Sequence, residues 1–174
     1  MKKKPNKYLL FSVIIILGVA LDQVTKIIAK SNLMGQPRIS YLNDFFTLTY
    51  AENDGAFLSL GTDWSPTLRL IVLTIIPGLF LVGLMVYLLR SDKLTLIENI
   101  AFALIAAGGI GNIIDRILEG KVVDFMVMEL FGWHTGVFNV ADLYIMFGIG
   151  LFLVAYIRKM RQERKNAASE ETAS

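Results

Sequence analysis

The sequence contains no cysteine. That excludes disulfides, a thiol nucleophile, thiolate metal sites and attachment of a lipid to a cysteine of this chain. Histidine occurs once, at His134, so neither an HExxH pair nor a histidine-rich metal cage can be assembled. A lone histidine of this kind reads as a surface or interface residue. Charge is scarce too: the formal net charge is +2, and 18 % of residues are charged. No nucleic-acid partner, metal or cofactor is expected. Carboxylates are left as the obvious acid–base groups.

What the chain has in abundance is apolar side chains. Its 174 residues are 55 % hydrophobic, with a mean hydropathy of +0.57, which places it among polytopic membrane proteins. Lys2, Lys3, Lys4 and Lys7 precede an uncharged run from Tyr8 to Leu21. A secretory signal peptide has the same basic start and apolar middle. Asp22, Gln23 and Lys26 stand where its small-residue cleavage site would be, and Ile27 to Ala29 resume the apolar character. The segment therefore reads as a retained span over about 8–29, long enough for a hydrocarbon core of about 30 Å at about 1.5 Å per residue. Further spans are expected over about 68–89, 95–116 and 138–158, making one membrane domain.

Pro77-Gly78 near the middle of the second span suggests a kink, tolerated where neighbours satisfy the freed backbone groups. Ala106 to Gly109 and Gly111 give the third span a smooth face for close helix approach, a packing role that needs no further explanation. Between the first two spans, about 36–62 reads as a small half-exposed sheet lying on the membrane. Ile39 to Tyr50 has the β-branched and aromatic content of short strands, and Asn53-Asp54-Gly55 has the composition of a hairpin turn. Glu119 to Gly136 reads as a mixed loop, and 159–174 as a polar tail that frays or forms a short exposed helix. The expected fold class is an all-α membrane protein of four transmembrane helices, with a small extracytoplasmic β-sheet segment and a loop on the same side.

Lys2 to Lys7, Arg90, Lys93 and the group from Arg158 to Lys165 all fall on one side of a four-span arrangement. By the positive-inside rule that side is cytoplasmic, and both termini lie there. The opposite side collects Asp22, Lys26, Asn53, Asn112, Asp115, Arg116, Asp124, Asn139 and Asp142. Ionisable groups at the edge of apolar helices are expensive and often mark a working site. Two carboxyl groups sharing a proton can hydrolyse a peptide bond, one activating water and the other polarising the carbonyl. Asp142, in the first turn of a helix, is favoured in its ionised form. Asp124, within the apolar run Val122 to Met128, is the better holder of the shared proton.

Structural readings stand beside these. Asp22 and Lys26 are spaced for an i, i+4 ion pair near the interface, with the lysine snorkelling. Asn139 and Asp142 have the spacing of a helix N-cap and its third-position acid. Asp115 is an alternative partner for Asp142, but it adjoins Arg116 and is expected to be held as its counter-ion. A different class, a carrier or proton-linked channel with Asp22, Asp115 and Asp142 as a relay, predicts ionisable groups spread along the membrane depth; here they gather at one end. A lipid-modifying transferase is a further alternative.

Five elements, LDQVTK (Leu21 to Lys26), Asn53-x-Gly55-Ala56, GGIGNIIDR (Gly108 to Arg116), VVDF (Val122 to Phe125) and FNVAD (Phe138 to Asp142), occur in order. In these residues, and over nearly the whole chain, the sequence resembles the lipoprotein signal peptidase family, also called signal peptidase II. The resemblance implies an aspartic endopeptidase of the bacterial cytoplasmic membrane, with its active site on the extracytoplasmic side. Its substrates would be diacylglyceryl-modified prolipoproteins, cut just before the lipidated cysteine. It further implies Asp124 and Asp142 as the catalytic dyad. Asn112, Arg116 and Asn139 would position substrate and dyad, with Asn53 and Gly55 contributing, and Asp22, Lys26 and Asp115 supporting. Membrane lipids are the other expected partners, and a monomer suffices because one chain supplies the whole site.

Overall fold

The computed structural model describes residues 6–55 and 61–173. Lys2, Lys3 and Lys4, and Ala56 of the Asn-x-Gly-Ala element, lie outside the described residues. Four helices are long and apolar enough to cross a bilayer: α1 (Lys7–Leu33), α2 (Pro66–Arg90), α3 (Leu96–Glu119) and α4 (Val140–Ala173). Local chemistry sets their ends. Asn6 caps α1 by accepting the Tyr8 N–H at 3.1 Å. Thr95 and Glu98 form a reciprocal capping box at the start of α3, and Gly120 closes that helix at φ +74° with its N–H on the Arg116 carbonyl. α1 runs on to Leu33, past the expected end of the first span. α4 does not stop near 158 either; it continues to Ala173, because residues 159–173 are mostly strong helix formers with no glycine or proline.

Pro77 has no N–H to offer the preceding turn. Ahead of it, Leu70–Ile75 is wound as a π-helix, and the Ile76 N–H reaches the Ile71 carbonyl. The wider turn absorbs the proline's missing bond within a continuous span.

α3 is the central helix: 39 % of its apolar window is buried, against 17 % for each of the other spans. Ala101, Ala103, Ala106 and Ala107 are fully buried on it, which lets neighbouring backbones come close. The tightest approach is to α4. A Cβ on Gly108 would lie 2.3 Å from the Ala141 carbonyl oxygen, a position only glycine can hold. The lipid-side faces of the spans carry exposed Leu9, Ile16, Leu79, Phe147 and similar residues.

The helix ends at Leu33, Pro66, Glu119 and Val140 carry a four-stranded antiparallel sheet in the order β1 (Ile39–Tyr41), β2 (Phe46–Asn53), β3 (Val122–Leu130) and β4 (Trp133–His134). The segment expected as a mixed loop is thus mostly a hairpin, with Phe131 and Gly132 at positive φ in its turn. Its valines have strand propensity, but they form a strand here because β2, more than 65 residues earlier, supplies the partner. The first hairpin turns at Leu42-Asn43-Asp44, all with positive φ, so Asn53-Asp54-Gly55 lies at the end of β2 and is not the turn between β1 and β2. Phe46, Leu48 and Tyr50 on one face of β2 pack with Phe125 and Met126 against Ala29 and Leu33 of α1.

The Gly108 approach supplies a test. Gly108→Ala is expected to lower the melting temperature of the detergent-solubilised protein by the equivalent of about 1–3 kcal/mol, the range for overpacking. Gly83→Ala, where a Cβ meets nothing within 4 Å, is expected to be neutral or slightly stabilising.

Candidate active site

Asn139 organises the site. It stands immediately before α4, is fully buried, and its Oδ1 accepts the Asp142 N–H at 3.0 Å. Asp142 returns the bond, its Oδ2 accepting the Asn139 N–H at 3.1 Å. This is the reciprocal N-cap that the spacing suggests. The same asparagine does more: its Nδ2 donates to Asp124 Oδ1 at 2.7 Å and to Asn112 Oδ1 at 3.1 Å. Asn112 Nδ2 in turn donates to Asp142 Oδ1 at 2.8 Å. Asn53, at the end of β2, donates to Asp124 Oδ2 at 2.9 Å. Each of the four carboxyl oxygens of Asp124 and Asp142 therefore has a donor, and one amide touches both acids.

β3 delivers Asp124 through an irregularity. The Phe125 and Met126 N–H groups both bond to the Phe138 carbonyl, at 3.0 and 2.9 Å, and the β2–β3 register shifts between Leu48 and Ala51. A bulge of this kind re-aims side chains. Phe125 and Met126 both enter the apolar cluster on α1, while Asp124 lines the opposite, open face together with Val127.

Behind the two acids lies a buried ionic cluster. Lys26 Nζ is 2.9 Å from Asp22 Oδ2, 2.8 Å from Asp115 Oδ2 and 3.0 Å from Asn112 Oδ1. The lysine is 4 % exposed, so it does not snorkel: three oxygen partners inside hold it better than the interface would. Asp115 is not the counter-ion of Arg116, as its position in the chain suggests, because helical geometry points adjacent residues to different faces. It pairs with Lys26, and Gln23 Nε2 donates to it at 2.8 Å. Asp22 Oδ1 also accepts the Ala141 N–H at 2.9 Å, tying α1 to the first turn of α4. Gln23 is visible in the sequence as a polar residue of LDQVTK, but neither its bond to Asp115 nor the role of that backbone amide has a local signature.

Arg116 forms no ion pair with a carboxylate among the described residues. Its guanidinium donates to the Gly55 carbonyl at 3.0 Å and weakly to the Asn112 carbonyl, and it lies within electrostatic reach of Asp124, Asp142 and Asp115. Asn53 Oδ1 accepts the Gly55 N–H at 3.0 Å, so the turn after β2 holds both the Asp124 donor and the arginine's anchor. Arg69 and Asp54 brace the same turn by an ion pair of 2.8 Å that has no local signature in the sequence.

Asp124 is 3 % exposed. Burial pushes its carboxyl up to about 6, with the Asp142 charge adding to the rise and the Asn53 and Asn139 amides opposing it. Asp142, with a backbone N–H and an amide on its two oxygens, is built to accept. The carboxyl of Asp124 thus keeps its proton to higher pH than an exposed aspartate does.

Two stability tests arise here. Lys26→Met leaves Asp22 and Asp115 buried without their cation, and a loss of about 3–5 kcal/mol is expected in detergent unfolding. Adding Asp22→Asn and Asp115→Asn should recover most of it. Asp124 binds its proton more tightly folded than unfolded, so its contribution to stability is full below pH 3.8 and is lost as pH rises through about 6. The stability of Asp124→Asn relative to the wild type is accordingly expected to rise by about 1–3 kcal/mol between about pH 4 and about pH 7.5, whatever constant offset the lost acceptor oxygen adds.

The chain matches the family model described as Signal peptidase (SPase) II over residues 14–158. A lipoprotein signal peptidase of Chlorobium luteolum is 40 % identical over 158 residues, covering 86 % of this chain and 92 % of the relative. One from Geobacter sulfurreducens is 32 % identical, covering 92 % and 98 %. A solved bacterial membrane enzyme superposes with a TM-score of 0.74 at 28 % identity, covering 86 % of this chain and 88 % of its own. The match runs from within the first span to near 158 in α4 and takes in every residue of the site just described, so the chain belongs to the signal peptidase II family.

Proposed function

We propose that this protein is an aspartic endopeptidase of the bacterial cytoplasmic membrane. It removes signal peptides from diacylglyceryl-modified prolipoproteins, cutting before the lipidated cysteine. The observation that carries the reading is the Asn139 amide, which contacts Asp124 through its Nδ2 and Asp142 through its Oδ1 and backbone N–H. Family membership and four apolar spans support the substrate class and the membrane setting.

In this mechanism ionised Asp142 takes a proton from water as its oxygen attacks the scissile carbonyl. Protonated Asp124 donates to the carbonyl oxygen as charge develops there. As the tetrahedral intermediate collapses and the C–N bond breaks, Asp142 passes the proton it took from water to the departing amine, the α-amino group of the cysteine, and Asp124 recovers its proton from the intermediate's hydroxyl. Arg116, close to both acids but paired with neither, is placed to bind a substrate carbonyl. Asn112 and Asn139 hold the acids in place. Asp22, Lys26 and Asp115 anchor Asn112 and the start of α4. Substrate binding by its remote apolar parts positions the bond for attack.

The basic groups at Lys7, Arg90, Lys93 and Arg158 to Lys165 support cytoplasmic termini. The site lies at the opposite helix ends, toward the extracytoplasmic side, among membrane lipids. One chain supplies every group, so the working unit is a monomer.

The test uses purified protein and a diacylglyceryl-modified prolipoprotein. Asp124→Asn and Asp142→Asn are each expected to reduce cleavage by about 10²–10⁴-fold while the fold is retained; undiminished cleavage by either variant would exclude the pair. For the wild type, kcat/KM is expected to fall as pH rises through about 6, where Asp124 loses its proton. Asn53→Ala removes a donor that favours ionised Asp124, so this alkaline limb should move to higher pH.

A further inference from the structure

The sheet has one open face, and it differs in chemistry from everything around it. Its other face is pinned to α1 by Phe46, Leu48, Tyr50, Phe125 and Met126. The open face forms a cleft of about 590 Å³ with Asn53 and Asp124 in its wall. From there it extends past Thr47 and Val127 to Arg38, Glu129 and Thr135. Asp124 to Glu129 is five residues of strand, about 17 Å at about 3.4 Å per residue.

Three parts of a prolipoprotein reach the scissile bond: the apolar signal segment, the acyl chains and the polypeptide that follows the cysteine. The first two match the exposed apolar faces of the spans and would be poorly served by a wall bearing charged and hydroxyl groups. An extended peptide is well served by it, since its backbone must find hydrogen-bonding partners wherever it leaves water. The charged rim at Arg38 and Glu129 has no side-chain partner of its own in the hydrogen bonds and ion pairs of the described residues.

We propose that this cleft binds the residues that follow the lipidated cysteine, about five in extended conformation, as a polar subsite reaching from Asp124 to Glu129. The proposal rests on the endopeptidase reading above and adds that the enzyme recognises the mature side of its substrate as well as the signal and the lipid.

Two diacylglyceryl-modified substrates test it, one ending in an amide at the modified cysteine and one continuing through its natural following segment. The longer is expected to have a kcat/KM about tenfold higher, and Val127→Trp, which fills the cleft, should bring that ratio close to one. Equal rates on both substrates with the wild type, or a ratio untouched by Val127→Trp, overturns the subsite. If the wild type cleaves neither substrate, the endopeptidase reading itself fails. Should the tryptophan variant not fold, a benzophenone side chain at the third residue after the cysteine gives an independent readout with Asp124→Asn protein. Cross-links to Val127 or Thr135 are expected; cross-links confined to the spans overturn the proposal.

Discussion

A single buried carboxamide holds the centre of this molecule together. Asn139 must satisfy the first turn of α4, and a side-chain oxygen does so in many helices. Here the rest of the amide is used as well, its nitrogen reaching Asp124 on a strand and Asn112 on α3. The orientation is not arbitrary. Oδ1 faces a backbone N–H, which can only donate, and Nδ2 faces a carboxylate and two carbonyl-type oxygens. Turning the amide over would oppose donor to donor and acceptor to acceptor, so the cap and the carboxylate pair share one geometry.

The same logic extends backward to Lys26. An ammonium group has no acceptor, so the Asn112 oxygen must face it, which turns the Asn112 nitrogen toward Asp142. Burying two carboxylates and a lysine is expensive, and an apolar cluster of equal volume would often be more stable. What the ionic cluster achieves is orientation: it links α1, α3 and the first turn of α4 where those helices meet the site. Packing and charge are inseparable at this point. A Cβ on Gly111 would lie 2.5 Å from Asp22 Oδ2, so the smooth face of α3 also makes room for the carboxylate.

The sheet divides its chemistry by face. Apolar side chains fix it to α1, and the bulge at Phe125-Met126 lets two consecutive residues serve that anchoring while Asp124 stays on the open side. Without the bulge, strict alternation would place Asp124 and Val127 on opposite faces. A strand therefore carries one acid and a helix N-terminus the other. The two environments differ accordingly: Asp124 is desolvated in the sheet, which favours its protonated form, while Asp142 accepts from the Asn139 backbone N–H and the Asn112 amide.

Composition and local pattern were enough for the spans, since a membrane helix must be continuously apolar. They also singled out Asp124 and Asp142, because an acid in an apolar run and an acid at a helix start are visible in a few residues of chain. Contacts between distant residues were not legible in that way. Hydropathy could not say that Asp115 turns to Lys26 and away from Arg116, that Gln23 joins the cluster, or that Val122–Leu130 pairs with β2. The preference for apolar or polar surroundings is a property of a short segment, whereas a hydrogen bond needs two groups within about 3 Å. Only the packing of α1, α3, α4 and the sheet brings those groups together.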